Sequence, residues 1–130
     1  MIVVGFSADP FVRAASEHGS AEAKRRNTDL LVINATTGES YVDARFAGAG
    51  EVHDVSAQLR DSGVDFELRQ PVGVDPAAEL LTAMDSPDAE LLVIGIRHRS
   101  PVGKLLLGSV SQRLLRECLK PVLAVKPQRY

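Results

Sequence analysis

Between Gly95 and Arg116 the chain carries Arg97, Arg99, Lys104, Arg113 and Arg116 and no aspartate or glutamate, against a net charge of −2 for all 130 residues. The same stretch holds Gly95, His98, Gly108 and Ser109. Glycines let a ligand approach the main chain, and the free N–H groups that open a helix, set beside positive charge, suit a phosphate. The chemistry implied is anion binding, and the leading reading is a nucleotide site. It is not a Walker loop, because Lys104 follows Gly103 but Leu105 stands where a serine or threonine would hold magnesium. The competing reading is a structural turn: Ser109 with Gln112 three residues on forms a capping box that uses up first-turn N–H groups. A cap alone needs neither a second glycine nor a cationic loop, so the phosphate reading is preferred. A cationic island on an acidic body also fits a local anion site better than a duplex-binding surface, and no nucleic-acid partner is expected.

Other chemistries find little support. His18, His53 and His98 share no metal-ligand spacing with one another or with Cys118, so no metal site is expected. His18 falls on the inward stripe expected for the first helix and His53 on an exposed helical position. No nucleophile with a nearby base and no paired carboxylates emerge, so no catalytic residue is assigned and the chain is not read as an enzyme. Arg97 and Arg99 read equally well as solvated loop charges or as ligand contacts.

The elements that must position the glycines are legible as alternating strands and helices. Ile2 to Phe6 is a buried strand, and Asp9-Pro10 caps and starts a first helix reaching about Arg26, its inward stripe Phe11, Ala14, Ala15, His18 and Ala21 or Glu22. The LLVI run within Asp29 to Asn34 is a second buried strand. A loop over 35–46 leads to a helix with Val52, Val55 and Leu59 inward, stopped at Gly63. Val64, Phe66 and Leu68 alternate with charged residues, as on an edge strand with one wet face. Asp75-Pro76 starts a third helix facing inward with Leu80, Leu81 and Met84, and Ser86-Pro87 stops it. Leu91 to Ile94, Ser109 to Leu119 and Val122 to Val125 complete the chain as strand, helix and strand. Such alternation predicts an α/β fold, one domain over 1–130, with an open parallel sheet and helices on both faces. Ligands in such sheets sit beyond the strand carboxyl ends where strand order reverses, which selects the loops after the first and fourth strands.

The single cysteine excludes an internal disulfide framework, the opening Met-Ile-Val-Val-Gly lacks a basic n-region, and no apolar run is long enough for a bilayer helix. A cytoplasmic chain with no membrane partner is expected.

The spacing of Gly95, His98 and Gly108-Ser109 resembles the glycine-x2-glycine-x9-glycine-serine signature of the universal stress protein family. The likeness extends over MIVVGFSADP, AEAKRR and DLLVINA at the start and GIRHRSPVGKLLLGSVSQRLLRECLKPVLAVK at the end. It implies a five-stranded sheet in order 3-2-1-4-5 and, in the nucleotide-binding branch, ATP or AMP, with or without Mg2+, across the ends of strands one and four. Carried over by position, the adenosine side meets Gly5, Phe6, Ser7, Ala35 and Ile94. The phosphates meet Gly95, Arg97, His98, Gly108, Ser109 and Val110. Two positions depart from the family pattern: Ser7 stands where an aspartate usually follows the first strand, and His98 replaces the second glycine, its ring either crowding the phosphate or donating to it. These departures keep open a second function, a dimeric interaction module of the same fold that has lost nucleotide binding.

Val122, Leu123, Ala124 and Val125 form an apolar strand that the order 3-2-1-4-5 places at a sheet edge, where unpaired backbone groups invite pairing. The resemblance implies a homodimer joined antiparallel through this strand, testable by Leu123→Lys or Val125→Lys according to which face meets the partner.

Overall fold

A computed structural model describes residues 1–6, 14–38, 46–96 and 107–126. Among these residues five strands, β1 (Ile2–Gly5), β2 (Leu30–Ile33), β3 (Phe66–Arg69), β4 (Leu91–Gly95) and β5 (Val122–Val125), alternate with four helices. The helices are α1 (Ala14–Arg25), α2 (Ala49–Ser62), α3 (Pro76–Met84) and α4 (Ser109–Glu117). The strands form one parallel sheet in the order β3-β2-β1-β4-β5. Both the order and the α/β class agree with the expectation from sequence.

Side chains two apart on a strand share a face, and the core divides accordingly. Ile2, Val4, Leu30, Val32 and Val93 pack with Ala15 and Ala23 of α1 and Val55 and Leu59 of α2. On the other face Val3, Leu31, Ile33, Leu92 and Ile94 meet Ala77, Leu80 and Met84 of α3 and Leu114 of α4. Continuous apolar runs are therefore required of β1, β2 and β4, whose faces are both covered. β3, at an edge, alternates half-buried Phe66 and Leu68 with exposed Glu67 and Arg69.

Three details differ from expectation. The buried stripe of α1 is Ala15, Ser16, Gly19, Ser20 and Ala23, while His18 and Ala21 are exposed. Close approach decides this: a Cβ at Gly19 would lie 2.3 Å from Val4 Cγ2, so the helix turns its smallest residues to the sheet. Ser20 stays satisfied there, its hydroxyl donating to the Glu17 carbonyl (2.9 Å) and accepting from Gln58 Nε2 (3.2 Å). Second, α4 stops at Glu117, with Cys118 extended and Leu119 fully exposed. Pro121 disfavours helix at the residue before it, and Lys120 instead donates from Nζ to the carbonyls of Ser86 (2.8 Å) and Ala89 (2.7 Å). Third, Leu123 and Val125 lie on one face of β5, among the α1 and α2 side chains, so lysine at either would not distinguish the two faces. The expected cap Asp9-Pro10 and Phe11 lie outside the described residues.

Candidate functional site

Because every strand of a parallel sheet points the same way, every strand-to-helix junction opens at one end of the sheet. The chain leaves β1 toward β2 and leaves β4 toward β5, so the junctions after these two central strands diverge and leave a crevice. A cavity of about 360 Å³ occupies it. Gly5 and Phe6 from the end of β1, Ala35 from the end of β2, Ile94 and Gly95 from β4, and Gly108, Ser109 and Val110 from the start of α4 all line it. Eight of the residues expected from sequence are thus brought together. Ser7, Arg97 and His98 lie outside the described residues, as do Arg99 and Lys104.

The mouth of α4 carries the donor chemistry. Gly108 occupies the cap position with φ −67° and ψ 165°, and the first helical bond runs from Gln112 N to the Gly108 carbonyl (3.0 Å). The expected capping box does not form. Ser109 is the first helical residue rather than the cap, and Gln112 Nε2 reaches outward to the Leu107 carbonyl (3.0 Å). A glycine cap has no side chain to accept from the first turn, so among the described residues the N–H groups of Ser109, Val110 and Ser111 have no side-chain cap, and they carry the positive end of the helix dipole. A Cβ built at Gly108 would meet no described residue within 4 Å. The backbone angles do not demand a glycine, and among the described residues nothing packs against the position.

A buried polar network fixes the opposite wall. Asn34, which follows β2 and is 2% exposed, donates from Nδ2 to the Phe6 carbonyl (2.9 Å). Its Oδ1 accepts from Ala47 N (2.7 Å) and Gln70 Nε2 (3.0 Å), and Gln70 Nε2 also donates to the Ala47 carbonyl (2.9 Å). One amide therefore ties the ends of β1 and β2 to the approach to α2 and to the residue after β3. Beyond it, Thr36 bridges to Val72 and its carbonyl accepts from Gly73 N (2.9 Å), a turn that Gly73 makes at φ +78°. Ala35 and Thr37 are held at the rim by this clasp. Asn34→Leu is expected to lower stability by about 2–4 kcal/mol, since each buried group left unpaired costs roughly 1–3 kcal/mol. Urea unfolding of the variant measures it, and a loss below about 1 kcal/mol would show the network to be dispensable.

Asn34, Thr37, Asp75 and Ser111 are polar wall residues that the sequence reading did not select. The sequence marks Asp75 only as the cap of α3. It performs that role, accepting from Ala77 N (3.1 Å), with Pro76 in the first turn. Its second oxygen takes a hydrogen bond from Arg113 Nη1 on α4. That guanidinium, and secondarily the backbone donors of Ala77 and Ala78, hold the Asp75 carboxyl below the usual aspartate range. The signal that could have found it is topological: Asp75-Pro76 opens a helix after a parallel strand, and all such openings share one end of the sheet. Among the described residues no cluster of histidine, cysteine, aspartate and glutamate could hold a metal ion.

The model of the universal stress protein family matches residues 1–126. The chain belongs to that family. A universal stress protein of Mycolicibacterium smegmatis is 79% identical over 130 residues, covering 100% of both chains. Among solved structures, a universal stress protein from Archaeoglobus fulgidus superposes with a TM-score of 0.76 at 29% identity, over 96% of this chain and 97% of that one. Another universal stress protein, solved in complex with cAMP, gives a TM-score of 0.64 at 25% identity, over 98% and 96% of the two chains. Family membership agrees with the glycine spacing from which the resemblance was drawn.

Proposed function

We propose that this universal stress protein binds an adenine nucleotide, ATP or AMP, in the cavity between β1, β4 and α4, and acts through regulated association rather than catalysis. The observation that carries the reading is the first turn of α4, which opens on a glycine, has no side-chain cap among the described residues and borders the cavity. The related protein solved with cAMP supports an adenine ligand. In this reading Gly5, Phe6, Ala35 and Ile94 take the adenosine, while Gly95, Gly108, Ser109 and Val110 surround the phosphates. Ser7, Arg97 and His98 would complete the shell, with Mg2+ accompanying ATP. The protein acts as a cytoplasmic homodimer joined through β5. Among the described residues no helix is long and apolar enough to cross a membrane.

Calorimetric titration of dialysed protein with ATP and with AMP, each with and without Mg2+, tests the site. Saturable 1:1 heat with either nucleotide is expected. Absence of heat with both would favour the second reading, an interaction module in which Ser7 and His98 have replaced the ligand-binding pattern.

A further inference from the structure

β1 reads Ile-Val-Val-Gly, and a glycine weakens a buried strand unless a bulge, a bend or a close neighbour requires it. No bulge is present at Gly5, which pairs with Ile33 on one side and Ile94 on the other in step with the residues before it. Positive φ among the described glycines is confined to Gly38, Gly63 and Gly73. The close neighbour is Leu80. Side chains alternate along a strand, so one at position 5 would point, as Val3 does, to the face that α3 covers. A Cβ there would lie 2.9 Å from Leu80 Cδ1, 3.7 Å from Leu80 Cδ2 and 3.5 Å from Ile94 Cγ2. Leu80, 5% exposed, thus lays its branched end on the bare backbone of Gly5.

Gly5, Leu80 and Ile94 all line the cavity, so this contact forms part of its wall. Leu80 also belongs to the core cluster that holds Val3, Ile33, Ala77 and Met84. A close-packed interior has little free volume, so the side on which Leu80 can give way is the cavity. The donors of α4 suit a phosphate, whereas Leu80 and Ile94 offer only carbon, which suits the apolar faces of a base. We propose that Leu80, lying on Gly5, determines specificity by setting the size of the base that the cavity accepts. The missing side chain at Gly5 keeps Leu80 out of the ligand's space. The inference rests on the nucleotide reading above.

The test titrates AMP and its N6-methyl, 2-chloro and 8-bromo analogues, which enlarge the base at different edges, into the full chain and three variants, each melted to confirm its fold. One methylene too many or too few in an apolar pocket changes discrimination by roughly 10–200-fold. Gly5→Ala pushes Leu80 into the cavity and is expected to weaken AMP about tenfold or more. Gly5→Ala combined with Leu80→Val returns the room that alanine takes, and should bind AMP within about threefold of the unmodified chain. Leu80→Val alone leaves β1 untouched and carries the test even where Gly5→Ala does not fold. In it at least one analogue should gain about tenfold relative to AMP. A folded Gly5→Ala with unchanged AMP affinity, a folded double variant that stays weak, or a Leu80→Val that ranks the four nucleotides as the unmodified chain does overturns the proposal and leaves the nucleotide site standing. An unmodified chain that binds none of the four removes both.

Discussion

Gly108→Val is expected to abolish nucleotide binding in a protein that still folds. The backbone at this position, φ −67° and ψ 165°, is open to any residue, and a Cβ there meets no described residue within 4 Å. Valine is a poorer helix cap than glycine, a cost of about 1 kcal/mol, too small to unfold a domain with a stability in the usual range of roughly 5–15 kcal/mol. The same side chain projects into the space that a phosphate must enter to reach the N–H groups of Ser109 and Val110. Hydrogen bonds to a charged group contribute about 1.5–3 kcal/mol each, so loss of two lowers affinity at least a hundredfold. Titration together with a thermal melt checks both halves. A folded variant with unchanged affinity would move the ligand away from α4, and an unfolded one would contradict the open surroundings of Gly108.

The reason Gly108 was legible in the sequence and Asp75 was not lies in the range of the forces involved. Glycine at a helix start, a second glycine after an apolar run and a cationic stretch between them are local signals. So are the alternation of β3, the αL stop at Gly63 and the Asp75-Pro76 cap, and these last three stand in the structure where the residues indicate. The stripe of α1 differs from expectation because hydrophobicity alone does not decide which face of this helix is buried. At Gly19 the deciding term is distance to Val4, a partner far away in the chain, and Ser20 beside it is buried because the Glu17 carbonyl and Gln58 satisfy its hydroxyl. The capping box failed for a similar reason: Ser109 and Gln112 have the right spacing, but a residue earlier the glycine already holds the cap angles. Asn34 belongs to neither pattern. Its side-chain partners Phe6, Ala47 and Gln70 come from the residue after β1, the approach to α2 and the residue after β3, and only the assembled sheet brings them within reach of one amide.

Ala124→Pro is expected to convert the protein from dimer to monomer. β5 receives hydrogen bonds from β4 through the carbonyls of Pro121 (3.1 Å, from Leu92 N) and Val125 (2.9 Å, from Ile96 N). N–H and C=O of one strand residue point the same way and successive residues alternate, so Val122 and Ala124 turn theirs outward, away from β4. Among the described residues β5 pairs with β4 alone, so this edge is available to a second copy. Antiparallel pairing about a two-fold axis would satisfy these groups on both copies at once. Proline at 124 removes an outward donor and puts a ring on the edge while leaving every bond to β4 in place, the one strand setting in which proline is tolerated. It is also a cleaner probe than lysine at Val125, which is 5% exposed and packed in the core, so that a charge there would unfold the chain before it reported on assembly. Light scattering at high micromolar concentration should give twice the chain mass for the unmodified protein and the chain mass for the variant, with matching circular dichroism. A monomeric unmodified protein would remove the dimer from the proposed function, and a variant that stays dimeric would place the contact on a surface other than the β5 edge.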